Sequence, residues 1–144
     1  MIANLKQPAI ALVDDDYHSA RLMTRMLEAG GASHVSRMAD PARAVEQLSD
    51  MVQHPGGSDF LAVVDLKSSS SATGDFIQRL KGRAPQLTIV AIAPSLDRDV
   101  RSALLDAGAA AVFERHSDIE RYRREAASIV EFWARNRRLD KTGT

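Results

Sequence analysis

Five short apolar runs, separated by longer stretches of helical period, constrain this chain more than any other feature of it. Residues 9–13 (AIALV) form the first run, and residues 34–38 a weaker second. Residues 60–65 (FLAVVD) form the clearest, residues 87–93 (LTIVAIA) the fourth, and residues 109–114 (AAAVFE) a short fifth. Between them, residues 17–29 place Leu22, Met23, Met26 and Leu27 on one helical face, closed by Gly30 and Gly31. Asp40 and Pro41 supply an N-cap and a first-turn proline for a helix carrying Ala44, Val45, Leu48, Met51 and Val52. Residues 54–59 (HPGGSD) read as a loop, as do residues 66–75 (LKSSSSATGD), with a third helix starting at Phe76. Asp97 caps a helix that runs to Ala107 and closes at Gly108, and a last helix spans 117 to about 139.

Strands that are apolar throughout are buried on both faces, and strands alternating with helices require right-handed crossovers between parallel neighbours. The expected class is therefore α/β: a doubly wound (βα)5 three-layer sandwich with a five-stranded parallel sheet. A flavodoxin-like strand order of 2-1-3-4-5 fits this pattern. The 144 residues suit one domain, 1–144, with an extended C-terminal helix. Lys plus Arg and Asp plus Glu are equal at 19 each, so no net field draws the chain to nucleic acid or an anionic membrane. Without cysteine there is no disulfide framework and no thiolate metal site. No apolar run approaches the ~20 residues of a membrane span. The N-terminal run meets acids where a signal peptide would have its cleavage site, so a cytoplasmic location is expected.

Two of the runs stop at aspartate: "VDDD" ends the first and "VVD" the third. Functional groups of open parallel sheets gather beyond the carboxyl ends of the strands. With strands one and three adjacent, Asp14, Asp15 and Asp65 share one pocket. Like charges leaving water repel, so such a pocket calls for a cation. An all-oxygen set suits a hard divalent ion, Mg²⁺ above all. Beside it, Asp65 could act as a nucleophile toward a phosphoryl group, forming an acyl phosphate. Asp16 faces away and begins the first helix, where its charge favours the helix dipole. Any one of these acids alone reads as a cap. The matching acids at two adjacent strand ends make the site.

With these residues in place, the sequence resembles the receiver domain of bacterial two-component response regulators. The resemblance rests on "VDDD", on "VVD", on "LLDAGAAAVF" and on the fivefold order, and covers residues 8 to about 130. It implies phosphoryl transfer from a histidine kinase or phosphotransfer protein to Asp65. It also implies Mg²⁺ held by Asp15, Asp65 and the backbone carbonyl of Lys67, with Asp14 acting through water. Departures from the family pattern accompany it. The hydroxyl slot at the end of strand four is Ala93, with Ser95 two residues on. The lysine after strand five is Arg115, which can still neutralise a phosphate. The cis-proline position that follows is His116, so a cis peptide is not expected there. The aromatic switch position is Val112. The loop after Asp65 is one residue longer than usual and lacks its proline. Lys67 is either a solvated loop lysine or a side chain that intrudes on the site and competes with metal. The four histidines, His18, His34, His54 and His116, show no ligand spacing.

In the last helix Ile119, Tyr122, Ala126, Ile129 and Trp133 fall at 3-4 spacing, and the helix reaches about 35 Å. Phe132 and Trp133 are expected beyond the core. They form either a partner or homodimer seam, or a solvated extension or contact with the N-terminal segment. Arg135, Arg137 and Arg138 read as a solvated charged face, and no DNA-binding module follows. The leading expectation is a stand-alone, atypical receiver that accepts a phosphoryl group on Asp65 and signals by protein contact, not an enzyme with its own turnover. The alternative is a pseudo-receiver, a binding module that has lost phospho-switching. A haloacid-dehalogenase-like phosphatase, reading Asp14 and Asp16 as its "DxD", lacks the later lysine and paired-acid motif that family needs.

Overall fold

The computed structural model describes residues 9–54 and 59–141, with side chains through residue 137. Strands β1 (Ala9–Asp14), β2 (His34–Met38), β3 (Leu61–Asp65), β4 (Thr88–Ala93) and β5 (Ala111–Glu114) alternate with five helices. These are α1 (Tyr17–Ala29), α2 (Pro41–Gln53), α3 (Ala72–Arg83), α4 (Arg98–Ala107) and α5 (Ile119–Lys141). The sheet is parallel in the order β2-β1-β3-β4-β5, as the sequence pattern predicts.

Alternation along each strand divides the core into two. Ala11, Val13, Ala62 and Val64 pack under α2, α3 and α4 with Leu48, Phe76, Ile77 and Leu80. Ile10, Leu12, Leu61 and Val63 pack under α1 and α5 with Met23, Leu27, Ala126 and Ile129. Residues of β1, β3 and β4 are buried on both faces, which is why they read as unbroken apolar runs. β2 is an edge strand and is only partly covered, which explains its weak pattern.

Helix ends follow the caps the sequence offers. Asp16, Asp40 and Asp97 accept backbone N–H bonds from Ser19, Ala42 and Asp99 at 2.8, 3.1 and 3.0 Å. Gly108 closes α4 at φ 127°, a conformation that suits only glycine well.

Two expectations are corrected. The third helix starts at Ala72, not Phe76. The buried Thr73 hydroxyl accepts the Leu66 N–H at 3.0 Å and donates to the Leu66 carbonyl at 3.3 Å, fixing the first turn beneath the end of β3. Spacing along the chain does not reveal that bond. Thr73→Val, which keeps the volume but leaves the buried Leu66 N–H unpaired, is expected to cost about 1–3 kcal/mol by urea denaturation, with Thr73→Ser costing less.

The second correction concerns Phe132 and Trp133, which are part of the core. Trp133 is 3% exposed, and Phe132 meets Phe113 edge-on at 6.3 Å between ring centroids. Helices α1 and α5 approach closely where α1 ends: a Cβ at Gly30 would lie 3.1 Å from Ala127 Cα. That approach carries the stripe Tyr122, Ala126, Ile129 and Trp133 onto the sheet, while Ile119 stays outside. A homodimer seam through α5 therefore has no exposed aromatic pair to rest on. Residues 1–8, the other expected contact, and residues 55–58 of the expected loop lie outside the described residues.

Candidate functional site

Register brings the acids together. Asp14 and Asp65 are directly paired residues of neighbouring parallel strands, and both are fully buried. Burial raises the Asp14 carboxyl above its ordinary range; hydrogen bonds from Lys67 and from the Asp16 N–H oppose that rise. Two buried carboxylates on adjacent strands need cations nearby, and the chain supplies them from two loops.

From the β3–α3 loop, the Lys67 ammonium lies 2.8 Å from Asp14 Oδ1 and 3.1 Å from Asp65 Oδ2. It also donates to the Asp65 backbone carbonyl at 3.1 Å. From the end of β5, an Arg115 Nη2 donates to Asp65 Oδ1. The Arg115 N–H donates to the Ala93 carbonyl at 2.8 Å, so residue 115 sits beside residue 93. Burial pulls the Arg115 guanidinium down, but the hydrogen bond and charge of Asp65 outweigh it, and the net shift is upward.

Asp15 belongs to the same cluster but points elsewhere. Its two oxygens accept the N–H groups of Lys67 and Ser68 at 3.0 and 3.1 Å. Asp15 thereby pins the start of the serine loop and directs Lys67 inward. The Lys67 backbone meets Asp15 through its amide. Asp16 caps α1 and is exposed, so the "DxD" pair of a phosphatase does not converge.

Two of the remaining predicted positions share one wall, and the others lie apart from it. Ala93 and Arg115, with Lys67, Pro94, Val100 and Leu104, line a cavity of about 760 Å³ between α3 and α4. Ala93 places only a methyl there. Ser95 is engaged at the turn into α4, where its hydroxyl accepts the Asp97 N–H at 3.4 Å. Val112 pairs with Ala91 on the adjacent strand and is partly buried. His116 follows a trans peptide bond and lies 3.7 Å from Glu125 Oε1, away from the acids.

Sequence reasoning missed two residues of this neighbourhood. Arg37, on the edge strand β2, donates twice to the Asp14 carbonyl at 3.0 and 3.1 Å and lies over the Tyr17 ring. Tyr122, read only as a core residue, has its phenol buried in the field of Asp65, Arg115 and Asp14, and burial pushes it well above its usual range. The side-by-side register of β1 and β2 would have found Arg37 once the strand order was known. Nothing in the spacing signals Tyr122.

The donor chemistry, three carboxylates, suits a hard divalent cation. Among the described residues Asp14 Oδ2 and Asp65 Oδ2 are buried without a hydrogen-bond partner, the Lys67 contact to the latter being close but poorly aligned. As placed, however, the residues do not fit such an ion. It would share Asp14 and Asp65 with an ammonium already against them, and Asp15 is spent on backbone amides. Among the described residues no three metal-binding side chains converge.

No protein-family model matches the sequence, and no curated protein does. Solved structures do. A pilus assembly-related protein from Burkholderia pseudomallei is 18% identical at TM-score 0.70, over 90% of this chain and 91% of that one. A response regulator receiver domain from Rhodospirillum rubrum is 17% identical at TM-score 0.70, over 88% and 93%. The Mn²⁺-bound form of response regulator Rcp1 is 17% identical at TM-score 0.67, over 88% and 94%. The chain thus has the fold of response-regulator receiver domains.

Proposed function

We propose that this chain is a receiver-type signalling module that works by protein contact, with its acid pocket closed by its own cations instead of switched by a phosphoryl group. The Lys67 ammonium against both Asp14 and Asp65 carries this reading. Two further positions support it. Ala93 offers no hydroxyl to a phosphoryl oxygen, and Val112 offers no ring to turn, so the two-state element that phosphate would bias is missing both moving parts. The output is a protein partner and the setting the cytoplasm. The module binds; it does not turn over a substrate. The response regulators among its structural neighbours support a place in signalling, and the pilus assembly-related one supports a partner in a larger assembly.

A second reading is favoured by a different observation. Asp65 sits in register with Asp14, with Arg115 already on one of its oxygens, the arrangement an acceptor needs. In that reading Asp65 takes a phosphoryl group from a histidine kinase or phosphotransfer protein in a phosphorelay, with Mg²⁺ as the family's cation. Intact mass after incubation with Mg²⁺ and a small phosphodonor separates the two. The expected result is an unchanged mass. Addition of one phosphoryl group to the wild type, absent from Asp65→Asn, would establish the acceptor reading.

A further inference from the structure

The pocket disagrees with the divalent cation that its three acids suit, and the disagreement has a single cause. We infer that Lys67 is a tethered counter-ion: its ammonium stands in the place of a divalent ion between Asp14 and Asp65 and excludes one while it is there. This rests on reading the pocket as closed by its own cations.

Three observations carry the inference. The ammonium contacts both strand-end residues at once, Asp14 Oδ1 at 2.8 Å and, on Asp65, Oδ2 and the backbone carbonyl at 3.1 Å each. That is a bridging position between paired residues of two strands, not a surface ion pair. The side chain is aimed there by its own backbone, because Asp15 holds the Lys67 and Ser68 N–H groups. The same bonds withdraw Asp15 from the pocket, so one local geometry both inserts a cation and removes a metal ligand. Arg115 completes the balance from the other side, and the buried Asp14–Asp65 pair meets two fixed positive charges. A divalent ion entering would meet an ammonium within a few ångströms, and the like-charge repulsion would be substantial at the low effective dielectric of a part-buried site.

Removing the ammonium without shortening the side chain should open the position. In Mn²⁺ titrations of the full-length protein, followed by the electron paramagnetic resonance of free Mn²⁺, Lys67→Met is expected to bind one ion roughly tenfold or more tightly than the wild type. Lys67→Arg, which keeps the charge, should not gain. Mn²⁺ should raise the melting temperature of Lys67→Met, which leaves two buried carboxylates short of a cation, and not that of the wild type. One-equivalent binding by the wild type as tight as that of Lys67→Met overturns the inference, as does a Lys67→Met protein that folds and gains nothing. The wild-type titration decides on its own should the variant fail to fold: tight one-equivalent binding there overturns the inference, and its absence supports it. The titration contains no phosphodonor. A wild type that takes up a phosphoryl group yet excludes Mn²⁺ in this assay would overturn the proposed function and leave the tethered counter-ion standing.

Discussion

Trp133→Ala is expected to lower the unfolding free energy by about 3–5 kcal/mol and to leave the mass in solution unchanged. The side chain is buried in the core cluster that also holds Met23, Leu27 and Ile129, so truncation opens a large apolar cavity. Among the described residues its indole N–H has no acceptor, and a buried unpaired donor is itself unfavourable. Trp133→Phe removes that donor and keeps most of the ring, so it should cost far less than the alanine variant. Guanidinium denaturation gives the first quantity, and sedimentation of wild type and variants at matched concentrations the second. A small stability loss with a fall in apparent mass would restore the seam that the burial of Trp133 argues against.

Arg115→Met should cost about 2–4 kcal/mol. The pair is part-buried, with Asp65 inside and Arg115 partly exposed, and removing Arg115 leaves the buried Asp65 charge uncompensated. Asp65 is fully buried and would keep only the poorly aligned Lys67 contact, so the loss falls short of a completely isolated carboxylate. Methionine retains the aliphatic body of the side chain and confines the change to charge and hydrogen bonding. In the Asp65→Asn background the same substitution should be much milder. The double-mutant cycle over Arg115 and Asp65 should return a coupling of about 1 kcal/mol or more by chemical denaturation. Additive effects would show that the Arg115 contact to Asp65 carries no net energy.

The fold was legible because each signal it needed was local. Apolar runs of strand length, aspartates at three N-caps and a glycine at the end of α4 all act within a few residues of where they are read. Connection rules gave the parallel sheet, a flavodoxin-like strand order fitted it, and from that order followed the meeting of Asp14 with Asp65. What escaped depends on bonds between distant segments. Thr73 starts α3 four residues before Phe76 because it bonds Leu66 across the loop. Trp133 was expected outside because helix length alone does not show how closely α5 approaches α1 at Gly30. In the site, the slots at Ala93, Val112 and Arg115 could be placed by resemblance. The role of Lys67 stayed open between solvent and pocket, since two backbone amides on Asp15, and not any property of the lysine itself, decide its direction.

The pairing of this pocket also determines what an approaching molecule feels. Asp14, Asp15 and Asp65 stand against Lys67, Arg115 and the Arg37 that clasps the Asp14 carbonyl. Opposite charges interleaved at contact distance cancel one another a short way out, and salt screens what remains over about a Debye length of ~10 Å. The concavity at the strand ends therefore has almost no long-range field, despite three acids in a row in the sequence. A charged partner is not guided into it. Encounter must be steered by charges on the helix surfaces, such as the exposed Arg21 and Arg25 of α1.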